Sequence, residues 1–255
     1  MKYSPHFFKT TMPEWKRKKD PFIAKIFHRP ISFIFSSVFA EIGLTPNQVS
    51  FISLIIAVLT CTCFFIHSKS WYLIGAILMN LWSITDSADG NMARSIGGKP
   101  YGDFIDATSS YFMVGFIFPI LAYDVYRDGG FIINQGNTLI ILVGAYTGLS
   151  DTMARLFFQK EKNNTFEILL DKIARSEVTV KEIQNQKKSP KSKFMQLFIR
   201  IDSELSMGGW NLVAILICVI FNCLDLYVLF YALYFPLIFI LSTFYLIKKT
   251  RCLEK

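Results

Sequence analysis

Six apolar stretches, each closed off by polar or turn-forming residues, constrain this chain more than any other feature. They run from about Val49 to Ile66, Trp71 to Ile84, Phe104 to Tyr123, Thr138 to Phe158, Trp210 to Leu224 and Leu226 to Ile247. Roughly 20 helical residues cross the hydrocarbon core of a bilayer, and backbone inside it must satisfy its own hydrogen bonds. The stretches therefore predict an all-α integral membrane protein with six transmembrane helices. Composition agrees, since 52% of the 255 residues are hydrophobic, 25 are Phe, and mean hydropathy is +0.38. Soluble domains of this length are less apolar.

Ahead of the first stretch, Ile31 to Leu44 is apolar but short, preceded by Arg29 and Pro30, with Gly43 near its end. It predicts an amphipathic helix lying in the membrane interface. Residues 1–46 then form an N-terminal segment with that helix, and residues 47–255 form the six-span domain. Thr45-Pro46-Asn47 suits a helix start, with Pro in the first turn and capping residues beside it. A hydrophilic connection over residues 159–207 contains an amphipathic piece, Phe166 to Ile173, and the basic cluster Lys187 to Lys193.

Charge sets the orientation. Of the proposed outer loops, only Lys69 and Arg127 carry basic residues, whereas the tails and inner loops hold nearly all the others. Both termini, and the segment Asp86 to Asp106, are therefore expected on the cytoplasmic side. The net charge of +8 lies beside apolar spans, so the expected partners are anionic membrane lipids and anionic substrates rather than nucleic acid. The five cysteines match no zinc spacing and no disulfide framework.

Ionisable residues within membrane spans are costly and mark function. Here Asp86, Asp89 and Arg94 end the second span, and Asp103 and Asp106 open the third. Asp86 and Asp89 share a helix face, about 4.5 Å apart along its axis. Gly90 and Ala93 continue that stripe with almost no side chain, and Gly102 stands one turn before Asp106. Gly97, Gly98 and Pro100 suit a reversal that brings the two helices together. Three carboxylates in one cavity would repel one another, and a divalent cation removes the difficulty. Arg94 supplies a forked cation for phosphate.

The run Asp86-x-x-Asp89-Gly90-x-x-Ala93-Arg94, followed by Gly102-x-x-x-Asp106, resembles the signature of the CDP-alcohol phosphatidyltransferases, D-x-x-D-G-x-x-A-R…G-x-x-x-D-x-x-x-D. The Thr45-Pro46-Asn47 start and the six-span layout are similar to that family as well. The resemblance implies that Asp86, Asp89 and Asp106 hold Mg²⁺ or Mn²⁺, in a two-metal site, against the pyrophosphate of a CDP-linked donor. Gly90, Ala93, Arg94 and Gly102 would belong to the nucleotide pocket. An alcohol or lipid acceptor would attack the donor phosphate and release CMP, in phospholipid or lipid-linked glycan biosynthesis. The family also implies a homodimer.

One position departs from the signature. Where the family has its fourth aspartate, implied to be the general base, this chain has Ser110, and seven residues rather than eight separate Arg94 from Gly102. A serine hydroxyl does not take a proton at neutral pH unaided. Asp103 lies within about 20° of Ser110 around the helix and is the candidate replacement base, with a helix N-terminal aspartate favoured by the dipole as the alternative. Arg155, four residues after Asp151, and Arg200, near Asp202 and Glu204, are candidates for holding an anionic acceptor. At Arg155 an internal salt bridge is the other reading. Two further functions remain as alternatives: a CDP-lipid-binding homologue without turnover, and a transporter or ion-binding protein using the aspartates as its site.

Overall fold

The computed structural model describes residues 3–66, 68–98, 100–175 and 193–253, and all regular structure among them is helical. Two short helices, α1 (Pro5–Thr11) and α2 (Glu14–Lys19), lead through a π-helical turn (Ala24–His28) into α3 (Arg29–Glu41). Then come α4 (Pro46–Phe65), α5 (Lys69–Met92), a second π turn (Ala93–Gly97) and α6 (Pro100–Asp128). The chain continues through α7 (Leu139–Ala174), α8 (Lys193–Leu205), α9 (Asn211–Ile220) and α10 (Leu224–Leu253).

α4 begins where its cap residues direct. The Thr45 hydroxyl accepts from the Gln48 amide at 3.4 Å, and Gln48 Oε1 accepts from the Thr45 amide at 2.8 Å. This reciprocal box fixes the first turn, with Pro46 where its missing N–H costs nothing. Between α5 and α6 the chain turns back through Gly97, whose φ of +101° an L side chain rarely adopts.

Four helices are long and apolar enough to cross a membrane: Pro46–Phe65, Tyr101–Asp128, Leu139–Ala174 and Leu224–Arg251. The protein is thus a multi-pass membrane protein. The other two apolar stretches differ. α5 has 24 residues, about 36 Å of helix, but its last two turns carry the polar run that holds Asp86 and Asp89. α9 has only 10 residues and stops before Asn222, which has a φ of 55°. Alone it covers about half a bilayer.

α7 runs on for 36 residues to Ala174, well past Phe158. The hydrophilic connection therefore opens as continuous helix that includes Phe166 to Ile173. Residues 159–174 contain neither Gly nor Pro, so nothing in the local sequence breaks the helix where it leaves the apolar layer. Most of the basic cluster, residues 187–192, lies outside the described residues, as does His67.

Packing has two centres. The larger joins α4, α5, α6, α7, α9 and α10, with Met79, Met113, Ile117, Phe118 and Leu121 fully enclosed. Phe118 anchors it, with Tyr227, Tyr231 and Phe235 rings at 5.8, 5.5 and 5.4 Å. Outward faces carry Ile55, Leu59, Leu142, Leu149, Leu233 and Phe244, an apolar surface that suits lipid rather than water. The smaller centre docks α1 and α3 on the ends of α4 and α5 through Phe8, Phe33, Val49, Ala88 and Met92. That second centre places the N-terminal segment against the acidic end of α5.

Candidate active site

The acidic end of α5, the first turns of α6 and the first turns of α4 meet around a cavity of about 40 Å³. Asp89, Asp103 and Asp106 line it together with Asn47, Ser50 and Gly90. Volume on this scale suits an ion and a few oxygen ligands, not a whole nucleotide. Asp89 is almost fully buried, and its Oδ2 accepts from the Ser50 hydroxyl at 2.6 Å. Asp86 faces Asp106 across the two helices. One of its oxygens, Oδ1, is enclosed and has no hydrogen-bond partner.

Among the described residues, no lysine, arginine or histidine forms an ion pair with Asp86, Asp89 or Asp106. Nor do any three His, Cys, Asp or Glu among them close up as a ready coordination group. What the carboxylates present is negative charge without an ion-paired cation among the described residues, hard oxygen donors and one orphaned buried oxygen. Those properties fit a divalent cation.

The small motif residues are explained by what lies over them. The Arg94 guanidinium folds back across Gly90, where a Cβ would meet Nη1 at 3.1 Å and Nη2 at 3.2 Å. Ala93 packs on Gly98, where a Cβ would come within 3.0 Å of the alanine methyl. Gly102 is in contact with the Asn47 side chain, leaving no room for a Cβ. Of these contacts, the one at Gly102 joins two helices and lets α6 close on α4, while the other two are local to the end of α5 and the turn after it.

Ser110 is half-buried, does not line the cavity, and makes no side-chain hydrogen bond among the described residues. Its neighbour Ser109 is the enclosed one, accepting from Trp82 Nε1 at 2.8 Å and lying 3.3 Å from the Ser53 hydroxyl. Asp103 is exposed and on the cavity. Arg155 grips its own helix, with Nε at 3.1 Å and Nη2 at 3.4 Å from the two Asp151 oxygens. Arg200 pairs with Glu204 at 2.6 Å and donates to the Asp20 carbonyl at 3.3 Å. Neither arginine lines the acidic cavity.

Two groups of site residues escape a reading of sequence alone. Ser50 lies on α4 between Asn47 and Ser53 at three-residue spacing, a polar stripe on an apolar helix that could have been noticed. The other group comes from the N-terminal segment. Arg29, buried, binds Asp20 and reaches Asn91, next to the motif's Gly90. Lys16 also pairs with Asp20, at 3.6 Å. Burial, then the charge of Arg29, lowers the Lys16 pKa, and Asp20 opposes both.

Comparison with known proteins finds one family. The family model described as CDP-alcohol phosphatidyltransferase matches residues 43–180, a segment that begins just ahead of α4 and contains every motif residue above. No curated protein matches the chain significantly.

Proposed function

The chain belongs to the CDP-alcohol phosphatidyltransferase family, and on that premise we propose that it transfers a phospho-alcohol group from a CDP-linked donor to an alcohol or lipid acceptor, releasing CMP. The family comprises divalent-metal-dependent phosphotransferases that act on a CDP-alcohol donor and an alcohol acceptor. The observation that carries the proposal is the meeting of Asp89, Asp103 and Asp106 in one cavity with Gly90, over which Arg94 lies.

Asp86, Asp89 and Asp106 would hold Mg²⁺ or Mn²⁺, as one ion or a pair. When bound, the metal supplies charge neutralisation for the pyrophosphate and for departing CMP. The protein's own groups do the rest. Ser50 orients Asp89 by donating to it. Arg94 presents a guanidinium to the donor phosphates; Gly90 leaves room for that guanidinium to lie over it, and Ala93 and Gly102 let Gly98 and Asn47 pack close beside the proposed nucleotide pocket. Asp103 accepts the proton of the acceptor hydroxyl. The oxygen so exposed bonds to the donor phosphorus as the bond to CMP breaks. Ser110, two turns further along α6, offers a hydroxyl but no carboxylate. Arg155 and Arg200 are proposed to attract an anionic acceptor toward this end of the bundle.

We place this end, with both chain termini, in the cytoplasm on the strength of its basic residues, Lys16 to Lys19 among them. α5 and α9 would complete a six-span domain over residues 47–255. α3 would lie in the interface, its exposed Ile34, Val38 and Ile42 toward lipid and its buried Ser32 and Ser36 inward.

A second reading, binding of a CDP-lipid without turnover, is favoured by the position of Ser110 away from the cavity. One screen separates the two: CMP release from CDP-linked donors, with Mg²⁺ or Mn²⁺ and a panel of acceptor alcohols. The proposal expects release by wild type, a strong loss in Asp103→Asn, and a loss in Asp89→Asn. Absence of CMP from every pairing, with CDP still bound, would establish the binding-only reading. Equal release by Asp103→Asn and wild type would remove Asp103 as the base.

A further inference from the structure

Asn91 sits at the junction of a hydrogen-bonded chain that the reaction above does not use. Its Oδ1 accepts from two guanidinium groups, Arg94 Nη2 at 3.1 Å and Arg29 Nη1 at 3.2 Å. Its amide nitrogen donates to the Ser32 hydroxyl at 3.0 Å and to Ser36 at 3.4 Å, which settles which end of the amide faces the arginines. Arg29 in turn holds Asp20 with both prongs, Nε to Oδ2 at 2.7 Å and Nη2 to Oδ1 at 3.1 Å. The chain segment bearing Asp20 is itself fastened to α8, where Arg200 donates to the Asp20 carbonyl at 3.3 Å and Glu204 accepts from the Phe22 amide at 2.8 Å.

Stability alone is a poor reason for such an arrangement. The Arg29 and Asp20 side chains are only 9% and 5% exposed, and desolvating a pair to that extent consumes much of what its attraction returns. Direction is a better one. A bidentate arginine–carboxylate pair is planar and fixes the guanidinium in space. Arg29 and the two serines then fix the Asn91 amide, and Asn91 is the only side chain among the described residues to which Arg94 hydrogen-bonds. Because Asn91 is neutral, it orients Arg94 without cancelling the charge an anionic ligand needs.

We propose that Asp20 and Arg29 are positioning residues that act through Asn91 to aim the Arg94 guanidinium at the phosphates of the donor. The inference rests on the reading of the cavity as a CDP site. It gives the N-terminal segment, outside the family match, a part in donor binding.

A double-mutant cycle tests it. CDP affinity would be measured by calorimetry on the full-length protein in detergent with Mg²⁺, for wild type, Asn91→Ala, Arg94→Ala and the double variant. Losing an oriented, charge-assisted contact predicts roughly tenfold weaker CDP binding in Asn91→Ala. Where Arg94 is already absent, the same change should weaken binding by less than about twofold, since the effect passes through Arg94. A merely structural role would give the same loss in both backgrounds, and that result, or wild-type affinity in Asn91→Ala, overturns the proposal. If Asn91→Ala does not fold, as judged by gel filtration, Asp20→Asn replaces it in the cycle with the same criterion. Wild type that binds no CDP with metal present would sink the CDP reading, and this inference with it. Wild type that binds CDP beside an additive cycle would sink this inference alone.

Discussion

Asp86, Asp89 and Asp106 stand close together, Asp89 buried and the other two partly so, with no cation among the described residues paired to any of them. Carboxylates so placed repel one another, and one enclosed Asp86 oxygen makes no hydrogen bond. The arrangement is costly unless a cation completes it. Asp86→Asn should therefore raise the unfolding temperature of metal-free protein by about 2–4 °C, the shift that roughly 1 kcal/mol produces in a chain of this size. The same variant should lose most of the stabilisation that Mg²⁺ gives wild type. Differential scanning fluorimetry with and without chelator reads both, and a destabilised metal-free variant would show that the carboxylates are not strained against each other. These aspartates were legible in the sequence because charge on an apolar stretch stands out. Ser50 was not, since its partner Asp89 is 39 residues away and a hydroxyl on an apolar helix looks like ordinary packing. Nor were Asp20 and Arg29, because only the tertiary contacts of Arg29 with Asp20 and with Asn91 reveal their direction.

At the scale of elements, the site exists because three helix ends converge without bulk between them. Gly102 touches the Asn47 side chain, so a methyl there must displace that side chain from the cavity or push α6 from α4. Overpacking of this kind costs about 1–3 kcal/mol. Gly102→Ala should unfold at lower temperature and also lose CDP binding, whereas a variant that keeps full stability and affinity would mean the two helices yield freely. The cap of α4 was readable from Thr45-Pro46-Asn47, and the reversal after Arg94 from its glycines. The ends of α7 and α9 were not. Hydropathy measures where a segment is apolar, not where its hydrogen bonds stop. Thus α7 continues through polar helix formers to Ala174, while α9 ends after 10 residues within a longer apolar run.

The described residues form an apolar bundle with charge at both ends of α6, Asp124, Arg127 and Asp128 at one and the candidate site at the other. On the site's end lie the acidic cavity, the Asp20–Arg29 pair and the amphipathic α8 that fastens them. If α5 and α9 complete six crossings, Lys69 opens onto the side opposite the site and both termini share the site's side. An impermeant thiol reagent applied to intact cells should then label Lys69→Cys at once and Lys9→Cys only after permeabilisation, in a background lacking the native cysteines. The reverse pattern would invert the orientation, and immediate labelling of both would mean that an even number of crossings, not α4 alone, separates the two positions. In the proposed function, this end of the bundle holds a CDP group through a metal on Asp86, Asp89 and Asp106. Titrating CDP into wild type and Asp89→Asn, each with Mg²⁺ and with chelator, tests it most directly. Wild type should bind only when Mg²⁺ is present, and Asp89→Asn should bind at least about tenfold more weakly. Equal affinity with and without metal, or in both proteins, would contradict it.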